Sequence, residues 1–479
     1  MKYLAFKVER GESNTPLVVV QQRNKVLKKT PQELCSIILQ KLKSDVEAKL
    51  RQTVNKVVIT VPAYFNVTQR EVTLAAAEDA GFTVLKLLNE PTAAALFYYF
   101  EYDKSEENYS LVYDLGGGTF DVAILKRSSN NIEIVCVDGD TQLGGHDFDN
   151  IIVNYVAEQL IKHYDYDPRN DKENLRRLHN KCEDAKKALS SVPETVIVLI
   201  GFVKDHPNIQ ISITREEFET IADPLFKRTM DIVDACVKGS TISKNSIKEV
   251  ILSGGSTRIP KIQKLLCGFF DEKTINKFVN PDECVAEGAA LQAAMLSTSY
   301  RQVIGKIQLI DVVPLSLGLA DFVNEMSIVI PRNSTIPARG TESYRTLENR
   351  QSVMSFRVFE GERLNVIKNR LLGHFEITNI TPAPPGRCEA IVTFAVDANG
   401  ILIVTAQEKY KNNVKHLKIN YARGNKSEEE INNSILDAEK YKKEDQLFQQ
   451  FAQLKGYLIK YCVSVMYNLD KKKLNNTHR

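Results

Sequence analysis

Residues 110–121 read Ser110-Leu-Val-Tyr-Asp114-Leu-Gly-Gly-Gly-Thr-Phe-Asp121, and this stretch decides the fold. Leu111 and Val112 close one apolar run, and Phe120, Val122, Ile124 and Leu125 open another, so Gly116, Gly117 and Gly118 fall at the tip of a tight hairpin. Glycine frees the backbone to turn successive N–H groups toward an anion. Thr119 adds a hydroxyl, and Asp114 and Asp121 bracket the turn with carboxylates suited to magnesium and its waters. The pattern is a phosphate cradle on a hairpin, unlike the Walker loop, which opens a helix. Taken alone, the same residues also read as a plain glycine-rich turn with solvated acids.

Working outward, buried strands at Val57–Val61 and Val84–Leu88 alternate with helices, the first of them opened by a Thr68/Glu71 capping box and ended near Gly81. Pro91 suits the first turn of a helix beginning at Asn89–Glu90. Upstream, a helix from about Thr30 gathers Leu34, Ile37, Ile38 and Leu42 on one face. Glycine pairs recur at Gly144-Gly145 and Gly254-Gly255, each placed ahead of a helix. Helix 171–190 carries Glu183, Lys186, Lys187 and Ser190 on nearby turns, which by spacing reads as a solvated face. Thr214 and Glu217 cap a further helix, and an alanine-rich one spans 281–296. Alternating strands and helices predict an α/β sheet architecture up to about residue 300. Beyond a short apolar run, Ile307-Gln-Leu-Ile-Asp311, the pattern changes to alternating strands over 312–420. The clearest pair is Ala390–Val396 and Ile401–Ala406, joined through Asn399-Gly400, which predicts antiparallel β structure. From Ser427 the chain turns helical to a lysine-rich end.

At 479 residues, two or three domains are expected. A formal net charge of +3 gives no reason to invoke nucleic acid or an anionic membrane. The 8 cysteines form no CxxC and read as small buried hydrophobes of a reducing compartment, and the 7 histidines show no ligand spacing. With no long apolar stretch or leader-like start, the expectation is a cytoplasmic protein, the nucleus being a second compartment.

Taken in order, Val61-Pro-Ala-Tyr-Phe65, Asn89-Glu-Pro-Thr-Ala-Ala-Ala95, the hairpin, Leu143-Gly-Gly145, Gly254-Gly-Ser-Thr-Arg-Ile-Pro260 and Asp311-Val-Val-Pro-Leu-Ser-Leu-Gly318 resemble the 70-kilodalton heat-shock chaperone family. The resemblance covers nearly the whole chain. It implies a nucleotide-binding domain of the actin and sugar-kinase type over 1–300, a linker over 301–312, a β-sandwich peptide-binding domain over 313–424 and a partial helical lid over 425–479. It also implies ATP/ADP, Mg2+ and K+ as cofactors, unfolded polypeptide clients, J-domain co-chaperones and nucleotide-exchange factors, and a monomer. Carried over by position, Glu90, Asp114, Thr119 and Asp121 are the catalytic candidates, with Asp114 on the metal side. Gly116, Gly117, Gly118, Thr119, Gly144, Gly145, Glu183, Lys186, Lys187, Ser190, Gly254, Gly255, Ser256, Arg258 and Asp282 are the nucleotide-binding candidates. Phe322, Leu347, Met354 and Phe356 are assigned to the peptide groove, and Ile307, Leu309, Ile310 and Asp311 to the linker.

Three departures from the family are expected to matter. The family's opening strands, first phosphate loop and catalytic lysine have no counterpart before Val57, and the lid is short. His146, Lys187 and Glu287 stand where the family has glutamate, arginine and tyrosine. Met354 replaces a shorter valine, and it reads equally as groove or as sandwich core. Two functions therefore stay open: an ATP-dependent chaperone with nucleotide state coupled to peptide affinity, or a non-hydrolysing paralogue or fragment that keeps only peptide or partner binding. A sugar kinase or actin-like filament protein shares the hairpin but leaves the linker and β-domain unexplained.

Overall fold

The structure, a computed structural model, describes residues 6–11, 15–22, 25–102, 107–128, 131–270, 275–276, 279–297, 307–409, 414–417, 446–458 and 461. The chain forms two units, one running to Asp311 without Asn66–Glu71, the other holding Asn66–Glu71 and the residues from Val312 onward.

The first unit is built on a six-stranded sheet, ordered Ile275–Asn276, Ile247–Ser253, Asn108–Leu115, Phe120–Ser128, Asn131–Asp140 and Gln308–Ile310. Its three middle strands form an antiparallel meander in which Asp114 faces Asp121 and Leu115 faces Phe120 across the predicted hairpin. Strand Ile247–Ser253 adds in parallel, setting Ser253 beside Asp114. The middle strands are apolar on both faces because helices cover them, and Tyr113, Phe120, Ile124 and Leu125 are completely buried. Helices Gly145–Tyr164, Lys172–Leu189 and Asp223–Gly239 supply Phe148, Leu178 and Phe226 to the same core. A parallel pair, Lys56–Val61 with Thr83–Asn89, and a three-stranded sheet at Lys7–Arg10, Pro16–Gln22 and Lys25–Lys29 complete the unit's sheets, beside the hairpin Glu194–Val203/His206–Thr214.

Helix Glu90–Glu101 lies against helix Cys284–Leu296 so closely that a Cβ on Gly288 would sit 1.9 Å from the Ala93 carbonyl oxygen. That is the close packing the alanine-rich sequence allows.

Two local expectations are corrected. Helix Val67–Asp79 is capped by Asn66 and Gln69, not by Thr68 and Glu71. Asn66 Oδ1 accepts the Gln69 N–H at 2.9 Å, and Gln69 Oε1 accepts the Asn66 N–H at 3.0 Å. Asparagine caps at least as well as threonine, so the helix starts one residue ahead of Thr68. Helix Pro31–Leu50 begins after Thr30 as expected, closed by a Thr30/Glu33 capping box, yet Ile37, Ile38 and Leu42 are about half or more exposed.

The apolar run after residue 306 is a strand: Leu309 pairs with Ile132 and Ile310 with Glu133. Asp311 closes it, accepting from Asn89 Nδ2 at 2.5 Å and Thr92 Oγ1 at 3.3 Å.

In the second unit, two four-stranded antiparallel sheets share one core. Met326–Ile330, Leu317–Ala320, Val353–Glu360 and Arg370–Thr378 form one; Ala338–Arg345, Glu389–Val396, Leu402–Glu408 and Val414–Leu417 form the other. Alternation along Glu389–Val396 sends Ala390, Val392, Phe394 and Val396 inward. The predicted hairpin holds, with Val396 opposite Leu402. Of the helical tail, 446–458 is described, and the beginning predicted at Ser427 lies outside the described residues. Seven cysteines are free thiols, five of them buried; Cys462 lies outside the described residues.

Candidate functional site

Three glycine motifs, far apart in sequence, meet at one peptide unit. The Gly116 carbonyl oxygen accepts the Gly145 N–H and the Ser256 hydroxyl, each at 2.9 Å. The Gly117 carbonyl takes the His146 N–H at 2.8 Å. The contact requires missing side chains: a Cβ on Gly144 would stand 2.5 Å from the Gly117 carbonyl carbon, and one on Gly254 would stand 2.2 Å from the Leu115 oxygen. Gly254 also adopts φ +82°, the left-handed region that favours glycine.

A cleft of about 710 Å3 opens beside this junction. Gly116, Gly117, Gly145, Gly255 and Ser256 form one wall; Glu183, Lys186, Lys187 and Ser190 form another, joined by Arg258 and Asp282. Gly144 and Gly254 sit behind the wall as spacers, and Gly118 and Thr119 lie at the hairpin tip, with open space around Gly118. Helix Lys172–Leu189 thus presents to the cleft the residues whose spacing alone reads as a solvated face.

Charges around the cleft are paired. Buried Lys186 Nζ lies 2.8 Å from Asp149 Oδ1 and donates to the Gly145 carbonyl at 2.9 Å. Arg258 reaches Asp282 Oδ2 at 2.6 and 3.1 Å and Asn280 Oδ1 at 2.9 Å. Lys187 lies 2.7 Å from Glu183 on an exposed turn, and that hydrogen bond lowers the Glu183 carboxyl and raises the Lys187 ammonium. Burial pushes the Asp149 carboxyl up, against the pull of Lys186. Asp149, His146 and Gln263 line the cleft without being among the sequence candidates. His146 was marked only as a departure from the family's glutamate, and nothing singled out Asp149 or Gln263.

Behind the hairpin three carboxyls converge. Burial, then the Asp114 and Asp121 charges, raises Glu90 to about 9. Burial raises Asp114 to about 6, partly offset by the Ser253 hydroxyl. Asp121 Oδ1 accepts the Tyr64 N–H at 2.9 Å, whereas Asp114 Oδ2 is buried with no hydrogen-bond partner among the described residues. Such an orphaned oxygen fits a cation or its water. Among the described residues no three His, Cys, Asp or Glu side chains are spaced to ligate a metal together.

In the sandwich, Met354 and Phe356 are 6% and 5% exposed and belong to the shared core. Phe356 packs edge-on to Tyr344 at 5.5 Å and tilted to Phe375 at 5.4 Å. Phe322 and Leu347 are 43% and 45% exposed. Helix 446–458 passes over Phe322, with Gly456 against the ring and Ala452 buried. Among the described residues no helix is long and apolar enough to cross a membrane.

The family profile described as "Hsp70 protein" matches residues 1–478. The chain is 42% identical over 478 residues to a "Heat shock 70 kDa protein" of Neurospora crassa, covering 99% of this chain and 73% of that one. It is 40% identical over 477 residues to "Heat shock cognate 70 kDa protein 3" of Dictyostelium discoideum, covering 99% and 76%. It is 41% identical over 467 residues to a ribosome-associated molecular chaperone of Saccharomyces cerevisiae, covering 97% and 76%. With a family profile over nearly the whole chain and relatives at about 41% identity, the chain belongs to the Hsp70 family of molecular chaperones.

Proposed function

We propose that this chaperone binds ATP and ADP in the cleft beside Gly116 and binds extended apolar peptide segments on the sandwich. Nucleotide state would reach peptide affinity through Ile307–Asp311. The observation that carries the reading is the Gly116 carbonyl joined to both Gly145 and Ser256, which holds three glycine loops together along one wall of the cleft. Gly116–Gly118 and Thr119 face the phosphates. Glu183, Lys186, Lys187, Ser190, Arg258 and Asp282 border the adenosine. Asp114 would hold magnesium through water, and the ion would supply charge neutralisation to the phosphates. Glu90, Thr119 and Asp121 orient the attacking water. The same reading carries the domain division 1–300, 301–312, 313–424 and 425–479, a cytoplasmic setting, a monomer, and J-domain and exchange-factor partners.

Calorimetric titration with ATP and Mg2+, followed by single-turnover hydrolysis in wild type and Thr119→Ala, tests this. Saturable binding and hydrolysis lost in the variant are the expected results; no binding by a folded protein at millimolar ATP overturns it. On the peptide side, Phe322→Ala weakens peptide binding with an unchanged melt.

A second reading, binding without turnover, is favoured by one observation. Burial and the neighbouring Asp114 and Asp121 charges push the Glu90 carboxyl up to about 9, which disfavours the carboxylate form that orients water. Unchanged ATP through many hours of bound incubation is its signature.

A further inference from the structure

We propose that His146 is a specificity-determining residue of the cleft, contacting the phosphate chain of a nucleoside diphosphate or triphosphate and tightening its hold as the pH falls. The inference rests on the nucleotide reading above.

The ring is held where a phosphate would meet it. His146 donates its own N–H to the Gly117 carbonyl at 2.8 Å, which ties the residue to the hairpin tip. Its Nε2 lies 3.6 Å, and its Cδ2 3.9 Å, from where a Cβ on Gly117 would be. The imidazole lines the cleft and is 77% exposed, so its outer edge is available to a ligand. On the other side Nδ1 faces Asp149 Oδ2 at 3.7 Å, beyond hydrogen-bond reach but close enough to orient the ring electrostatically. Asp149 is itself fixed by Lys186 at 2.8 Å. A chain of charges thus runs from Lys186 through Asp149 to His146 and ends at the glycine tip.

Several titratable groups act on the ring. Asp147 and Asp149 share its helix, and His179, Glu183 and Lys186 face it from helix Lys172–Leu189. The hairpin tip adds no titratable side chain, since Gly116–Gly118 carry none. Lys187 pairs with Glu183 and Lys186 with Asp149, so two of the three carboxyls are already matched by lysines. Imidazole is the side chain that gains charge just below neutral pH, and a protonated ring donates a charge-assisted hydrogen bond to phosphate.

The test is ADP and adenosine titration of wild type, His146→Gln and His146→Arg at pH 7.5 and 6.0, at fixed ionic strength and saturating Mg2+. Relative to His146→Gln, wild type should gain about fivefold in ADP affinity between pH 7.5 and 6.0, as expected for a partly solvated ion pair. His146→Arg should hold ADP tightly at both pH values, and adenosine should show no such differences. In proton NMR, the His146 resonance (assigned by its loss in His146→Gln) should titrate at higher pH once ADP is bound. An equal pH response in wild type and His146→Gln, or an imidazole titration unmoved by ADP, overturns the inference while leaving the nucleotide reading intact. Wild type that binds neither ligand overturns both.

Discussion

The cleft beside Gly116 and the sandwich around Phe394 are organised in opposite ways. In the cleft, geometry depends on side chains that are missing, and Gly144 and Gly254 let backbone meet backbone within the radius of a methyl group. In the sandwich, geometry depends on side chains that fill space, with Phe394, Val392 and Val404 wholly buried. The difference teaches where substitution hurts. A site made of close approach fails by addition, and one made of packing fails by removal.

Among the substitutions, Phe394→Ala should have the largest effect, costing the sandwich about 3–5 kcal/mol by leaving a cavity, measured by denaturant unfolding. A cost below about 1 kcal/mol would mean the two sheets can collapse onto each other, and the contrast would break. Gly254→Ala should cost about 2–4 kcal/mol, from a strained φ and overpacking against Leu115, and should abolish nucleotide binding. Unchanged binding in that variant would show that the loops need not touch.

Glu90 sharpens the comparison through pH. Its folded carboxyl sits at about 9 against an ordinary 4.5, so between those values the folded state holds a proton that the unfolded chain has released. Stability from this group is fully present below about pH 4.5 and is lost as pH rises through about 9, a change on the order of 6 kcal/mol. Thermal melts should show the loss in wild type and a flatter profile in Glu90→Gln. The sandwich, where no comparable carboxyl cluster lies at a ligand cleft among the described residues, should show no matching dependence on Glu90. Smallest of all is the exposed Lys187–Glu183 pair, where Lys187→Ala should cost less than about 0.5 kcal/mol in stability. A larger change in nucleotide affinity than in melting temperature would place Lys187 at the ligand.

Glycine spacing made the cleft legible. Gly116, Gly144 and Gly254 announce backbone requirements that few other residues satisfy, and Asp114 and Asp121 mark the hairpin's flanks. The face of Lys172–Leu189 was not legible by spacing, because Glu183 and Lys187 would pair identically on an outer surface; the family motifs supplied that assignment. Asp149 escaped notice because burial and its bond to Lys186 are tertiary facts. Alternation made the sandwich core legible, but Met354 shows its limit, since an inward residue and a groove residue share one period. The cap at Asn66 was misplaced because two overlapping pairs, Asn66/Gln69 and Thr68/Glu71, satisfy the same rule two residues apart.

Helix Pro31–Leu50 carries Ile38, Leu42, Val46 and Leu50, each 42–61% exposed, at every fourth position among the described residues. An uncovered aliphatic stripe of this kind is what a chaperone looks for in its clients. This protein therefore displays on a folded helix an apolar surface that favours association. Environment-sensitive dyes should light up on its native state, and dilute detergent should extend its shelf life. In a cell it should compete with misfolded chains for the attention of other chaperones.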